Sequence, residues 1–165
     1  MDNQNEIAET ILINALKGEN AHVNPFAALE SLTSGVAGAT LKDSPYTIWQ
    51  IIKHLNYWQE RFFARLKEEP VLPAPTAAEG WSFSTEPASE TELSNEIKKF
   101  KDSITKTTSF CRTNYESMKN PRGNYSTGFD VVQAMASHIS YHIGEIVLLR
   151  RILSSWPPPS GGDTW

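Results

Sequence analysis

Cysteine is nearly absent from this 165-residue chain. Cys111 stands alone, so no disulfide can close within the chain, and a reducing compartment, the cytoplasm, is the expectation. A basic excess is absent too. Lysine and arginine together number 15 against 19 acidic residues, a net charge of −4. Such a chain has no positive field to follow a phosphate backbone, and nucleic-acid binding is not expected. No apolar run reaches the roughly 18 residues that mark a membrane-spanning helix, so no membrane association is expected. The opening Met1-Asp-Asn-Gln-Asn-Glu6 is polar and acidic, unlike a secretory leader. The sequon at Asn124-Tyr-Ser126 therefore carries no meaning. Strand-like alternation and internal repeats are missing as well. Helical periodicity is what remains, in a chain whose length predicts one domain, residues 1–165.

Residues 5–17 carry Ile7, Ile11, Leu12 and Ala15 at helical spacing and end at Gly18. Asn24-Pro25 is a cap with proline at the first helical position. It predicts a helix through Leu32, with Phe26, Leu29 and Val36 inward. Ser44-Pro45 repeats that signature and opens a helix to about Lys67, whose stripe is Ile48, Ile51, Leu55, Trp58 and Phe62. Residues 68–88 hold Pro70, Pro73, Pro75, Gly80 and Pro87, which exclude a continuous helix. A loop this long is usually functional or disordered. Trp81 and Phe83 argue that it packs back on the body as a flap over one end. Ser89-Glu-Thr-Glu92 is a capping box for a helix to about Tyr115, with Leu93, Ile97, Phe100, Ile104 and Thr107 or Thr108 inward. The charged face of that helix reads as solvation, and Cys111 as a small apolar packing residue. Pro121-Arg-Gly123 is a turn, and Ser126 or Thr127 caps a last helix over 128–154. Arg150-Arg151 near its end suits the helix dipole. The proline-rich tail, Trp156 to Trp165, cannot be helical; its two tryptophans predict packing on the body or on a second subunit.

The last helix holds the anomaly. Its inward seam reads Val131, Met135, His138, His142, Glu145, Leu149, Ile152, alternating steps of four and three. Two imidazoles and a carboxylate thus occupy positions where a plain bundle places leucine. Burying them costs free energy unless they are bonded, paired or metal-bound. His138 and His142 lie one turn apart on one face and could chelate a single ion. His54 borders the apolar stripe of another long helix and could complete a three-histidine site with open positions for water or substrate. The plain alternative is a set of core histidines hydrogen-bonded to neighbours.

These residues also carry a resemblance. Pro45-x-x-Ile-Trp-Gln-Ile-Ile-x-His54-Leu, with His138-x-x-Tyr-His142-x-Gly144-x-Ile-x-Leu-Leu-Arg150-Arg151 far downstream, resembles the DinB-like four-helix-bundle family. The likeness is greatest to the branch with a Trp-Pro-Pro-Pro…Gly-Gly-Asp-Thr-Trp tail, and it runs from His22 to the end of the chain. It implies an all-α, up-up-down-down four-helix bundle with a long irregular loop between the second and third long helices. It implies a divalent ion, zinc or nickel, held by His54, His138 and His142, and a homodimer. For His22, a role near the metal and a plain loop position both stay open. Glu145 stands as an outer partner of an imidazole, as a general base, or as a salt-bridge partner of Arg61 or Arg65. Trp58 and Trp81 are core residues or line the site mouth, and Tyr141 is a packing tyrosine.

Members resembling this chain include metal-dependent hydrolases, thiol-dependent S-transferases and a thiol-dependent isomerase. The expected activity is therefore hydrolysis, or transfer to a low-molecular-weight thiol, on a small-molecule substrate. The competing expectations are a non-catalytic, stress-associated binding protein and a bundle whose histidines are satisfied internally.

Overall fold

The computed structural model describes residues 3–19, 21–71 and 76–162. They form helices α1 (Asn3–Lys17), α2 (Pro25–Ala28), α3 (Ser34–Ala37), α4 (Ile48–Leu66), α5 (Glu90–Thr113) and α6 (Gly128–Ile152), with 3-10 turns at Ala77–Gly80 and Ser117–Lys119. Among the described residues there is no strand, and the fold is all-helical. The long helices contact one another in pairs. α6 lies against α1 and α4, α5 lies against α4 and α1, and the single turn α2 also rests on α6. The core between them is built of Leu16, Ile52, Leu55, Phe100, Met135 and Ile139, each at most 1 % exposed. Burying each such large apolar side chain contributes about 1.5–3 kcal/mol.

Several elements differ from the sequence-based expectation. In α1 the buried residues are Leu12, Ile13 and Leu16, while Ile7 and Ile11 face solvent. Asn24 does cap α2, its side chain accepting from Phe26 N–H at 2.8 Å, but the helix stops after one turn and does not reach Leu32. Leu29 is buried all the same, and Phe26 and Val36 pack partly on the core. Ser44-Pro45 does not open α4. Ser44 Oγ–H donates to the Tyr46 carbonyl, and the chain stays non-helical until Thr47. Thr47 and Gln50 then form a reciprocal capping box. At α5, Ser89 accepts from Glu92 N–H, but the Glu92 carboxylate takes the Ala88 N–H instead of that of Ser89, so only half the expected box forms. Thr127 caps α6 with Asp130.

Two arginines are buried. Arg150 donates from Nη1 to the Ala28 carbonyl at 2.7 Å and lies over the Trp156 ring, so it ties α2 and the tail to α6. Arg122, 2 % exposed in the Pro121–Gly123 turn, donates to the carbonyls of Leu66 and Ser117. It thereby satisfies a carbonyl at the C-terminus of α4, which the helix itself leaves open. Trp156 packs partly on the core. Trp165, like Pro73 and Pro75, lies outside the described residues.

The part of the 68–88 loop that is described docks on the first half of α4. Thr47 Oγ–H donates to the Thr85 carbonyl at 2.7 Å, and Gln50 Nε2–H to the Ser82 carbonyl at 2.9 Å. Pro87 is buried, as a packed loop requires, but Phe83 is fully exposed and anchors nothing.

Candidate metal centre

α4 and α6 cross so that His54 faces His138 and His142. One ring nitrogen from each of the three lies within 4.8 Å of the other two. The expected trio is therefore brought together, and from two helices far apart in sequence. His54 is 6 % and His142 5 % exposed, and His138 is half-buried.

The rings are held in defined tautomers. A carbonyl only accepts, so His54 Nδ1–H donates to the Gly80 carbonyl, at 3.0 Å. Its Nε2 is then a bare lone pair. His142 Nδ1–H donates to Glu145 Oε2 at 2.6 Å, which frees its Nε2 in the same way. His54 Nε2 and His138 Nε2 stand 3.2 Å apart. Two nitrogens on a tetrahedral ion with bonds of 2.0–2.1 Å are separated by about 3.3 Å, so this pair already has the spacing of a chelate edge. Nδ1 of His138 is buried without a partner among the described residues. The donor set fits a borderline-soft divalent ion, and the carbonyl and carboxylate behind two of the rings are the outer partners that such ligands use.

Desolvation dominates the electrostatics. Burial, reinforced by repulsion from the neighbouring histidines, pushes the pKa of His138 down to about 3. Burial lowers His54 to about 4, with the Gly80 bond opposing and His142 adding to the fall. Both rings are neutral at pH 7, the state in which imidazole binds metal.

Aromatic rings enclose the cluster. Trp81 stacks on His54 at 3.9 Å between centroids, and Tyr46 stacks on Trp81 at 3.5 Å. Trp58 and Phe62 present their edges to His138. The loop 68–88 thus supplies both the carbonyl that orients His54 and the ring that covers it. Gly80 is glycine for a reason of space: a Cβ there would lie 2.9 Å from Trp58 Nε1 and 3.2 Å from His54 Nδ1. The role of Gly80 was not anticipated, because a backbone carbonyl has no side-chain signature; the one available signal was glycine beside tryptophan at the end of a proline-rich loop.

Other expectations resolve by position. Glu145 pairs with His142; Arg61 lies over Tyr57 and Trp58, and Arg65 over Tyr125. Tyr141 is largely exposed and meets His142 only edge-on, so it is no core residue. His22 is not at the cluster. Its Nδ1–H donates to the Val23 carbonyl at 2.8 Å, and its Nε2 accepts from Ser140 Oγ at 2.7 Å. Ser140 falls two residues from both His138 and His142, about 200° around the helix, so His22 is on the far side of α6.

Fold and site define an all-helical protein with a buried three-histidine cluster able to hold a metal ion. The family model described as the DinB superfamily matches residues 20–146, which include all three histidines and Glu145, and the chain belongs to that superfamily. The match ends short of the tail. No curated protein and no solved structure matches the chain. No described helix is long and apolar enough to cross a membrane.

Proposed function

We propose that this protein is a metal-dependent enzyme, a hydrolase or a low-molecular-weight-thiol S-transferase, acting on a small molecule at a divalent ion held by His54, His138 and His142. One observation carries the reading. The outer nitrogens of His54 and His142 are committed to the Gly80 carbonyl and to Glu145, so both rings offer Nε2 lone pairs in the same small space. Three imidazole ligands suit zinc or nickel, and three protein ligands leave a tetrahedral ion one open position, as catalytic sites do. The ion's contribution would be Lewis acidity, which lowers the pKa of a water or thiol brought to it.

The chain's own groups do the rest. Glu145 orients His142 and raises its basicity; it is engaged in that bond and is assigned no proton transfer. Gly80 does the same for His54. Trp81, Trp58 and Phe62 keep bulk water from the rings, which strengthens every charge interaction in the site. The family likeness and the pairwise helix contacts support an up-up-down-down arrangement of the four long helices; a homodimer and a cytoplasmic location complete the proposal.

The test is a panel of ester, amide and electrophile substrates, with and without small thiols, on metal-loaded protein. Turnover that vanishes in His138→Ala while the helical circular-dichroism signal is kept supports the proposal. Stoichiometric metal with no turnover across the panel would move the reading to a metal- or ligand-binding bundle.

A further inference from the structure

An apolar groove of about 420 Å³ opens beside the cluster, between the segment leading into α4 and the second half of α6. Its base is formed by Ile51 and Leu149, both buried, and its flank by Leu148 and Ile152, which are 58 % and 57 % exposed. Large apolar side chains more than half exposed, side by side along one helix face, are not explained by the packing of the described residues. The volume lies within the usual range of small-molecule sites. The groove adjoins the centre at one end through two shared residues. Glu145 lines it and is also the group bonded to His142; Tyr46 lines it and is the outer plate of the stack on Trp81 and His54. From Glu145 to Ile152 is seven residues of helix, about 10 Å.

We infer that this groove binds an unbranched aliphatic arm of the small molecule whose polar, reacting end lies at the three-histidine centre. The assignment of that arm to the centre's substrate rests on the reading in the preceding subsection; binding of an aliphatic chain in the groove does not. The lining is mostly apolar, with polar groups at Glu145, Tyr46, Ser44, Lys42 and Asp43, and the Ser44 hydroxyl is already given to the Tyr46 carbonyl, so burial of methylenes supplies most of the affinity. A chain longer than the groove leaves its end in water, which sets a length limit near eight carbons by the same helix rise.

The experiment has two arms. Calorimetric titration of metal-free protein with ethanol, butanol, hexanol, octanol and decanol reads the groove alone. Affinity rises roughly two- to fourfold per methylene up to octanol and then flattens, and the rise disappears in Leu148→Glu and Ile152→Glu. A flat series, or the same rise in both variants, overturns the inference. So does a wild-type dimer that binds no alkanol and that Leu148→Glu dissolves, because the groove is then the seat of a second copy. In the second arm, cobalt-loaded protein is titrated with ethanethiol and octanethiol while the visible spectrum of the ion is followed. Octanethiol perturbs the spectrum at a concentration at least tenfold lower, and Leu148→Glu removes the difference. Equal potency in the wild type separates groove from centre and overturns the shared substrate. Failure to take up cobalt sinks the metal reading and leaves the alkanol result to judge the groove.

Discussion

Removing the Glu145 carboxylate while keeping the helix intact isolates its effect on His142. The bond from His142 Nδ1–H is 2.6 Å long and charge-assisted, of a kind that contributes about 1.5–3 kcal/mol when fully sheltered. The Glu145 side chain is 38 % exposed, so in Glu145→Ala water reaches the freed Nδ1–H and recovers part of that. The lower end of the range remains, about 1.5 kcal/mol or a little over tenfold in affinity, within the ten- to hundredfold found for outer partners of metal ligands. Glu145→Gln keeps a neutral acceptor and retains the ring orientation, so it falls by about half as much in free energy, roughly threefold. The assay is competition for zinc against a chromogenic chelator at pH 7.5, with thermal melts of the chelated proteins as control. Expected is the order wild type, Gln, Ala in affinity, with cooperative metal-free melting kept and lowered only by the loss of one part-exposed hydrogen bond. Identical affinities in all three would refute the argument that Glu145 fixes the His142 tautomer.

Gly80→Ala forces a methyl against Trp58 and His54; metal affinity falls and the protein loses about 1–3 kcal/mol, read by urea denaturation. The Cys111 thiol is buried, which together with Glu9 raises its pKa to about 12, so it stays protonated and unreactive toward a thiol reagent at pH 8 in the folded protein and reacts only on unfolding. The metal-free protein destabilises as pH is lowered from 6.5 towards 4. In that window the unfolded chain protonates His54 and His138 while the folded chain, with pKa values of about 4 and 3, does not. Urea midpoints at pH 7.5 and 5 measure this, and the double variant His54→Gln, His138→Gln flattens the dependence.

The centre was largely legible from the chain, because an imidazole on an apolar seam is an exception that periodicity exposes. His54, His138 and His142 all showed it. The partners behind them were less so. Glu145 was visible as a carboxylate on the same seam, but only the structure shows it bonded to His142. Gly80 acts through a carbonyl that every residue has. Helix starts misled where a local signature competed with packing. Ser44-Pro45 has the residues of a cap, yet Tyr46 is held flat against Trp81, and the helix waits for Thr47. In α1 the apolar residues occupy more than one face, and spacing alone could not choose Leu12 and Leu16 over Ile7 and Ile11. Ile152 continued the seam in sequence but is 57 % exposed and lines the groove. The burial of Arg122 and Arg150 has no signal in the sequence, since charged side chains are seldom fully buried; each is buried where it donates to backbone carbonyls of other segments.

The most direct test is the metal content of the protein purified without chelators, by inductively coupled plasma mass spectrometry. Close to one zinc or nickel per chain is expected in the wild type, and a loss of most of it in His54→Ala, His138→Ala and His142→Ala, each with its helical signal retained. A wild-type protein with no bound transition metal, and none taken up on titration with zinc or nickel, would contradict it.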